Sequence, residues 1–194
     1  MLFKCDVPKE IFKYIKENIR NFEKPANKNL AGNIRNEFKF NNHIPKIAPW
    51  MLSHLSETDY FNHHFNKMKK KFIPEPQKIC LYDMWVNFQK TTEFNPVHAH
   101  YGLLSFIIFV QIPYTSEMQK QLSPGKDSNA DSTGKIEFIT FSNGENVTNI
   151  LDVDKTWEGK CLIFPSELMH CVYPFFGVEK ERITIAGNIR FTNE

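Results

Sequence analysis

Two histidines one residue apart, His98 and His100 in Asn95-Pro96-Val97-His98-Ala99-His100, are followed far downstream by His170 and then by Arg182. On an extended strand the side chains at i and i+2 point to one face, so both imidazoles can enter one cavity while a second strand delivers His170. Neutral imidazole is a ligand for iron, zinc, copper and nickel, and three such ligands leave open positions on the ion. The chain holds seven histidines, so a His-x-His pair alone says little. Its surroundings add the argument: His170 closes the strand-like Gly159 to His170 stretch, and Arg182 to Phe191 alternates polar and apolar residues as a half-buried strand does. An arginine on such a strand can look into a barrel.

These residues need a scaffold, and length supplies one. At 194 residues the chain is read as a single domain, 1–194, able to bury a core without disulfide support. With 24 basic and 22 acidic residues the net charge is +2, so neither bulk nucleic-acid binding nor membrane attachment is expected. The basic run Lys67, Lys69, Lys70 and Lys71 reads as a solvated helix end. Cys5, Cys80, Cys161 and Cys171 show no CxxC spacing and no apolar leader accompanies them, which leads to the expectation of a reducing, cytoplasmic setting. Cys171 should point away from the neighbouring His170 and act as a small core residue. Asn146-Val147-Thr148 matches a glycosylation sequon but has no secretory context.

Helices come first along the chain and strands follow. Val7, Ile11, Tyr14, Ile15 and Ile19 predict an amphipathic helix over about 7–22, and a second helical region spans about 49–70. In that region Met51, Leu55, Tyr60, Phe61, Phe65 and Met68 are available for a buried stripe, while His63 and His64 diverge on a helix and make a poor metal pair. Residues 1–75 are therefore read as mainly helical support, and 76–194 as the strand-rich core. Candidate strands are 78–89, 104–112, 135–141, 147–153, 160–164, 171–174 and 182–191. Between Tyr114 and Gly134 a polar stretch reads as a long mobile loop over about 114–134, either a lid or a tolerated insertion.

Trp85-Val86-Asn87, the His98/His100 segment, Ser105 to Pro113, Gly159 to His170 and Arg182-Ile183-Thr184 occur in an order that resembles the iron(II) and 2-oxoglutarate dependent oxygenases. The likeness is to their prolyl-hydroxylase-like branch, common in bacteria and marine phages, and it runs from about Trp85 to Phe191. It implies a mainly β fold with N-terminal helices, a double-stranded β-helix or jelly roll of cupin type. It also implies Fe(II) as the metal, with 2-oxoglutarate and O2 as co-substrates. By position, His98 and His170 match the family's two histidines. His100 stands where the family usually has a carboxylate, so a three-histidine site would carry one more positive charge. The family arginine that holds the far carboxylate of 2-oxoglutarate corresponds to Arg182, with Thr184 on the same strand face.

The resemblance further implies hydroxylation of a protein or peptide side chain, proline among them, or of a small molecule, in the cytoplasm or in host cytoplasm for a phage protein. No tyrosine stands at positions 108 and 109, where one often assists the family's co-substrate, so the pocket is expected to have fewer hydroxyls. Asn87 and Asn95 are candidates to orient the keto-acid end, although both also suit turns or strand ends. Trp85 and Trp157 are candidate pocket walls. Two alternatives stand beside this reading. One is a cupin-like dioxygenase that uses no 2-oxoglutarate and whose Arg182 binds a substrate carboxylate. The other is a non-catalytic jelly-roll module in which the histidines hold a structural metal or fill the core.

Overall fold

The computed structural model describes residues 2–70 and 78–193, together with the backbone but not the side chains of Tyr60 and His64. Lys71, the predicted 75/76 boundary and the expected side-chain roles of Tyr60 and His64 lie outside the described residues. A short strand β1 (Phe3–Asp6) leads into helix α1 (Lys9–Asn18), then β2 (Glu37–Lys39), α2 (Ile44–Ser56) and α3 (Asp59–Lys69). Strands β3 (Lys78–Gln89), β4 (Asn95–His98) and β5 (Leu104–Gln111) precede α4 (Ser116–Leu122). The chain ends with β6 (Ile136–Ser142), β7 (Glu145–Leu151), β8 (Lys160–Pro165), β9 (Met169–Val172) and β10 (Arg182–Thr192).

Among the described residues these strands build two antiparallel sheets, one of six strands in the order β1-β8-β5-β10-β3-β2 and one of four in the order β4-β9-β6-β7. The alternation on β10 explains how the layers meet. Ile183, Ile185 and Ile189 join a core with Ile11, Ile15, Ile47, Met51 and Leu55 from the helices. Arg182, Thr184 and Ala186 face the other way and line a pocket shared with His98, His170 and Val172 of the smaller sheet. One face of the large sheet is thus roofed by helices, and its other face looks onto the four-stranded sheet, as a jelly roll requires.

Several boundaries differ from the sequence reading. The first helix ends at Asn18, short of residue 22. The region expected as one helix is two, because the Thr58 hydroxyl accepts the Phe61 amide and caps a new helix after Ser56. The 114–134 segment expected as a loop holds α4, and its buried Gln119 exchanges bonds with the backbone of Phe176 at 2.9 and 3.0 Å. No helix among the described residues is long and apolar enough to cross a membrane.

Candidate metal and co-substrate site

Antiparallel pairing of β4 with β9 sets His98 directly opposite His170. The strand expected to carry both early histidines stops at His98, and His100 follows in an irregular turn whose amide donates to Ser166 O at 2.8 Å. That bond still turns His100 toward the same space. Ring centroids are separated by 4.3 Å for His98 and His170, 4.9 Å for His98 and His100, and 5.2 Å for His100 and His170. The three candidate ligand nitrogens lie within 4.8 Å of one another, and no carboxylate joins the group among the described residues.

Local backbone selects the tautomer. His98 Nδ1 donates to Pro96 O at 2.7 Å and His170 Nδ1 donates to Leu168 O at 2.9 Å, since a carbonyl can only accept. Each ring therefore keeps a bare Nε2, the arrangement that orients metal-ligating histidines generally. His100 leans on the Trp85 ring, with centroids 5.6 Å apart, while Phe138 and Phe164 flank His170. Burial lowers the pKa of His98, and burial together with the neighbouring imidazoles pushes His100 to about 4 and His170 to about 3. All three are neutral at pH 7. Two neutral nitrogens oriented by the backbone and a third neutral imidazole beside them fit a divalent first-row transition metal.

Arg182 enters the same pocket from the start of β10 and is 2% exposed. Every donor of its guanidinium is taken by the protein. Gln89 Oε1 accepts from Nε at 2.9 Å and from Nη2 at 2.7 Å, the Tyr114 hydroxyl and Gly134 O accept from Nη1 at 2.6 and 3.0 Å, and Tyr173 O accepts from Nη2 at 3.3 Å. These five bonds end on four acceptor atoms, all uncharged. Among the described residues no carboxylate pairs with this buried cation, so the pairing with a surface acid that a strand-end arginine would otherwise make is absent. Burial pushes the Tyr114 phenol up, and it remains a protonated hydroxyl that donates to Gly134 O at 3.0 Å.

Pairing across β2, β3 and β10 aligns Glu37, Asn87 and Thr184 in one lateral row. Asn87 Nδ2 donates to Thr184 Oγ1 at 3.2 Å, while the Oδ1 atoms of Asn87 and Asn95 are buried without a partner. Both asparagines line the pocket, yet they offer it acceptors, which do not suit the carboxylate-rich keto acid expected there. Trp85 is a wall as expected. Trp157 is not: it packs against Phe109 and donates Nε1 to Asp152 O at 3.0 Å. Cys171 is buried and points to Glu137, away from the histidines.

Sequence reasoning missed Glu37, Gln89 and Tyr114. Tyr114, just beyond the end of β5, places its hydroxyl on the Arg182 guanidinium. Gln89 occupies the strand position directly opposite Arg182, legible only once that register is known. Glu37 sits on a strand of three residues, too short for periodicity to register.

The matching sequence profile is that of the family described as "Putative 2OG-Fe(II) oxygenase", and it covers residues 83–188. The chain belongs to this family of oxygenases that depend on iron(II) and 2-oxoglutarate. A search of curated proteins finds no significant match. Similar solved structures include a Pseudomonas putida prolyl-4-hydroxylase, at 12% identity and TM-score 0.50 over 97% of this chain and 91% of that one. HygX from Streptomyces hygroscopicus, solved with nickel, 2-oxoglutarate and hygromycin B bound, aligns at 9% identity and TM-score 0.52, covering 97% and 82%. IDO from Bacillus thuringiensis aligns at 8% identity and TM-score 0.51, covering 98% and 93%. At such identities the likeness carries the fold, a double-stranded β-helix, and the family match carries the activity: an oxygenase using Fe(II), 2-oxoglutarate and O2.

Proposed function

We propose that this oxygenase is a hydroxylase of prolyl-hydroxylase type, in which His98, His100 and His170 hold iron(II) while Arg182 and Thr184 hold the far carboxylate of 2-oxoglutarate. Its substrate is a protein or peptide side chain, proline among them, or a small molecule. The catalytic unit is 76–194, with 1–75 as its support and as the source of Gly32 and Glu37 in the pocket wall. The observation that carries the reading is one pocket with three bare imidazole nitrogens and a buried guanidinium that has no anionic partner.

Bound together, iron(II), 2-oxoglutarate and O2 supply the oxidation: one oxygen atom enters a substrate C–H bond and the other leaves in succinate, with carbon dioxide released. The protein's own residues do the rest. Pro96 O and Leu168 O hold the His98 and His170 rings in the metal-binding tautomer. Arg182 exchanges the Gln89 oxygen for a carboxylate, gaining charge-assisted hydrogen bonds in place of neutral ones. Thr184 offers its hydroxyl hydrogen on the same face. Trp85, Phe138 and Phe164 exclude water around the histidines.

The test is succinate formation from 2-oxoglutarate by aerobic, iron-loaded protein without added substrate. Wild type should form succinate slowly and His170→Ala should form none. Iron bound at one equivalent with no turnover of 2-oxoglutarate would oppose the reading. The Pseudomonas putida protein is a prolyl-4-hydroxylase, which supports the type of reaction assigned here.

A further inference from the structure

The pocket carries a second polar feature that the metal and co-substrate do not use. Glu37 is 1% exposed, and its contacts among the described residues include no cation. Its Oε2 accepts one long bond, 3.3 Å from Asn27 Nδ2, and its Oε1 accepts none among the described residues. Beside it stand two more oxygens without donors, Asn95 Oδ1 and Asn87 Oδ1, the latter on a residue only 5% exposed. Glu37, Asn87 and Asn95 all line the pocket that holds the three histidines.

Gly32 explains how these oxygens are left open. A Cβ at that position would stand 2.5 Å from Asn95 Oδ1 and 2.6 Å from Glu37 Oε1, so glycine keeps clear the space that both oxygens border. Buried acceptors without donors are costly and rare in folded proteins. Two of them beside a carboxylate without a cation, in one pocket wall, mark the place of a ligand that brings the donors.

We propose that Glu37, with Asn87 and Asn95, forms the substrate-recognition wall of the pocket and takes a cationic nitrogen group, an amine or guanidinium, carried by the molecule that is oxidised. The proposal rests on the reading of this pocket as the oxygenase site and adds the class of substrate. Charge separates the two ligands. The anionic co-substrate goes to Arg182, and the acceptor wall repels carboxylates while attracting N–H donors. Burial, reinforced by Glu93, pushes the Glu37 carboxyl up to about 7, as expected for an acid whose counter-ion is absent. A bound cation would restore its ionised form.

The test uses butylammonium and butylguanidinium as probes, with butanol as the neutral control, titrated calorimetrically into protein loaded with manganese(II) and 2-oxoglutarate. Wild type should bind both cations about tenfold or more tightly than butanol, the value of one charge-assisted bond to a buried acceptor. Glu37→Gln should abolish that preference while binding manganese(II) and 2-oxoglutarate as wild type does. Gly32→Ala, which fills the space between the acceptors, should weaken the cations as well and decides the matter if Glu37→Gln does not fold. Equal affinity for butanol and the cations in wild type, or a preference that survives both substitutions, overturns the proposal. The same titration on metal-free protein separates the two claims. A cation preference there, with no binding of manganese(II) or 2-oxoglutarate, would retain the wall and overturn the co-substrate assignment.

Discussion

Gln89 presents one oxygen to both Nε and Nη2 of Arg182, the pair of donors that a carboxylate would take in a bidentate bond. If Arg182 holds the co-substrate as proposed, Gln89 occupies the place of its carboxylate in the free protein, and that has a measurable consequence. Gln89→Ala should lower the melting stability of the free protein by about 1–3 kcal/mol, because two buried donors lose their acceptor. It should also enlarge the stabilisation given by 2-oxoglutarate, since no amide has to be displaced. Thermal melts with and without 2-oxoglutarate check both signs, and a smaller ligand effect in Gln89→Ala would mean that Gln89 helps to bind the co-substrate. At the carboxylate position, His100→Asp should keep iron bound while His100→Ala weakens it by about tenfold or more, read by anaerobic iron titration. That His98, His100, His170 and Arg182 would share one pocket was legible because their types and spacing are rare in combination. Gln89, Tyr114 and Glu37 were not, since each acquires its role from a neighbour distant in sequence: Tyr114 and Arg182 lie 68 positions apart.

The long strands were legible as elements. The sequence reading and the structure agree on residues 78–89 for β3, whose pocket side carries Trp85, Asn87 and Gln89 while Val86 and Phe88 face the helices. The short strands β1, β2 and β4 have three or four residues each, and register with a longer neighbour, not local pattern, defines them. The break at Thr58 was hidden because the apolar stripe continues across it, and only the side-chain cap reveals the new helix. Gly187 on β10 illustrates a constraint that belongs to the sheet. A Cβ there would meet Asp83 O at 2.5 Å and the Phe106 ring at 2.7 and 2.8 Å. Gly187→Ala should therefore destabilise by about 1–3 kcal/mol through overpacking, checked by denaturant unfolding. An unchanged midpoint would mean that β10 and β5 can separate at no cost.

Across the whole molecule, a helix-backed sheet and a smaller sheet enclose one pocket with a basic end at Arg182 and an acidic wall at Glu37. Net charge, at +2, says nothing of this division, because both groups are buried and oppose each other. Glu37 also predicts a pH dependence. Its folded pKa is raised to about 7 from a reference of 4.5, so between those values the folded state holds more protons than the unfolded state, and stability falls as pH rises through that window. Wild type should lose up to about 3 kcal/mol relative to Glu37→Gln between pH 4.5 and 7, and the difference should level off above that. Denaturant unfolding of both proteins across this range checks it, and parallel curves would remove Glu37 from its buried, uncompensated state. The central claim, that three histidines hold the metal and Arg182 the co-substrate in this one pocket, is tested most directly by anaerobic calorimetry of 2-oxoglutarate binding to iron(II)-loaded protein. Wild type should bind one iron and one 2-oxoglutarate per chain, His170→Ala should bind neither, and Arg182→Ala should keep iron while losing about 2–5 kcal/mol of 2-oxoglutarate affinity. Unchanged iron stoichiometry in His170→Ala, or equal 2-oxoglutarate affinity in wild type and Arg182→Ala, would contradict it.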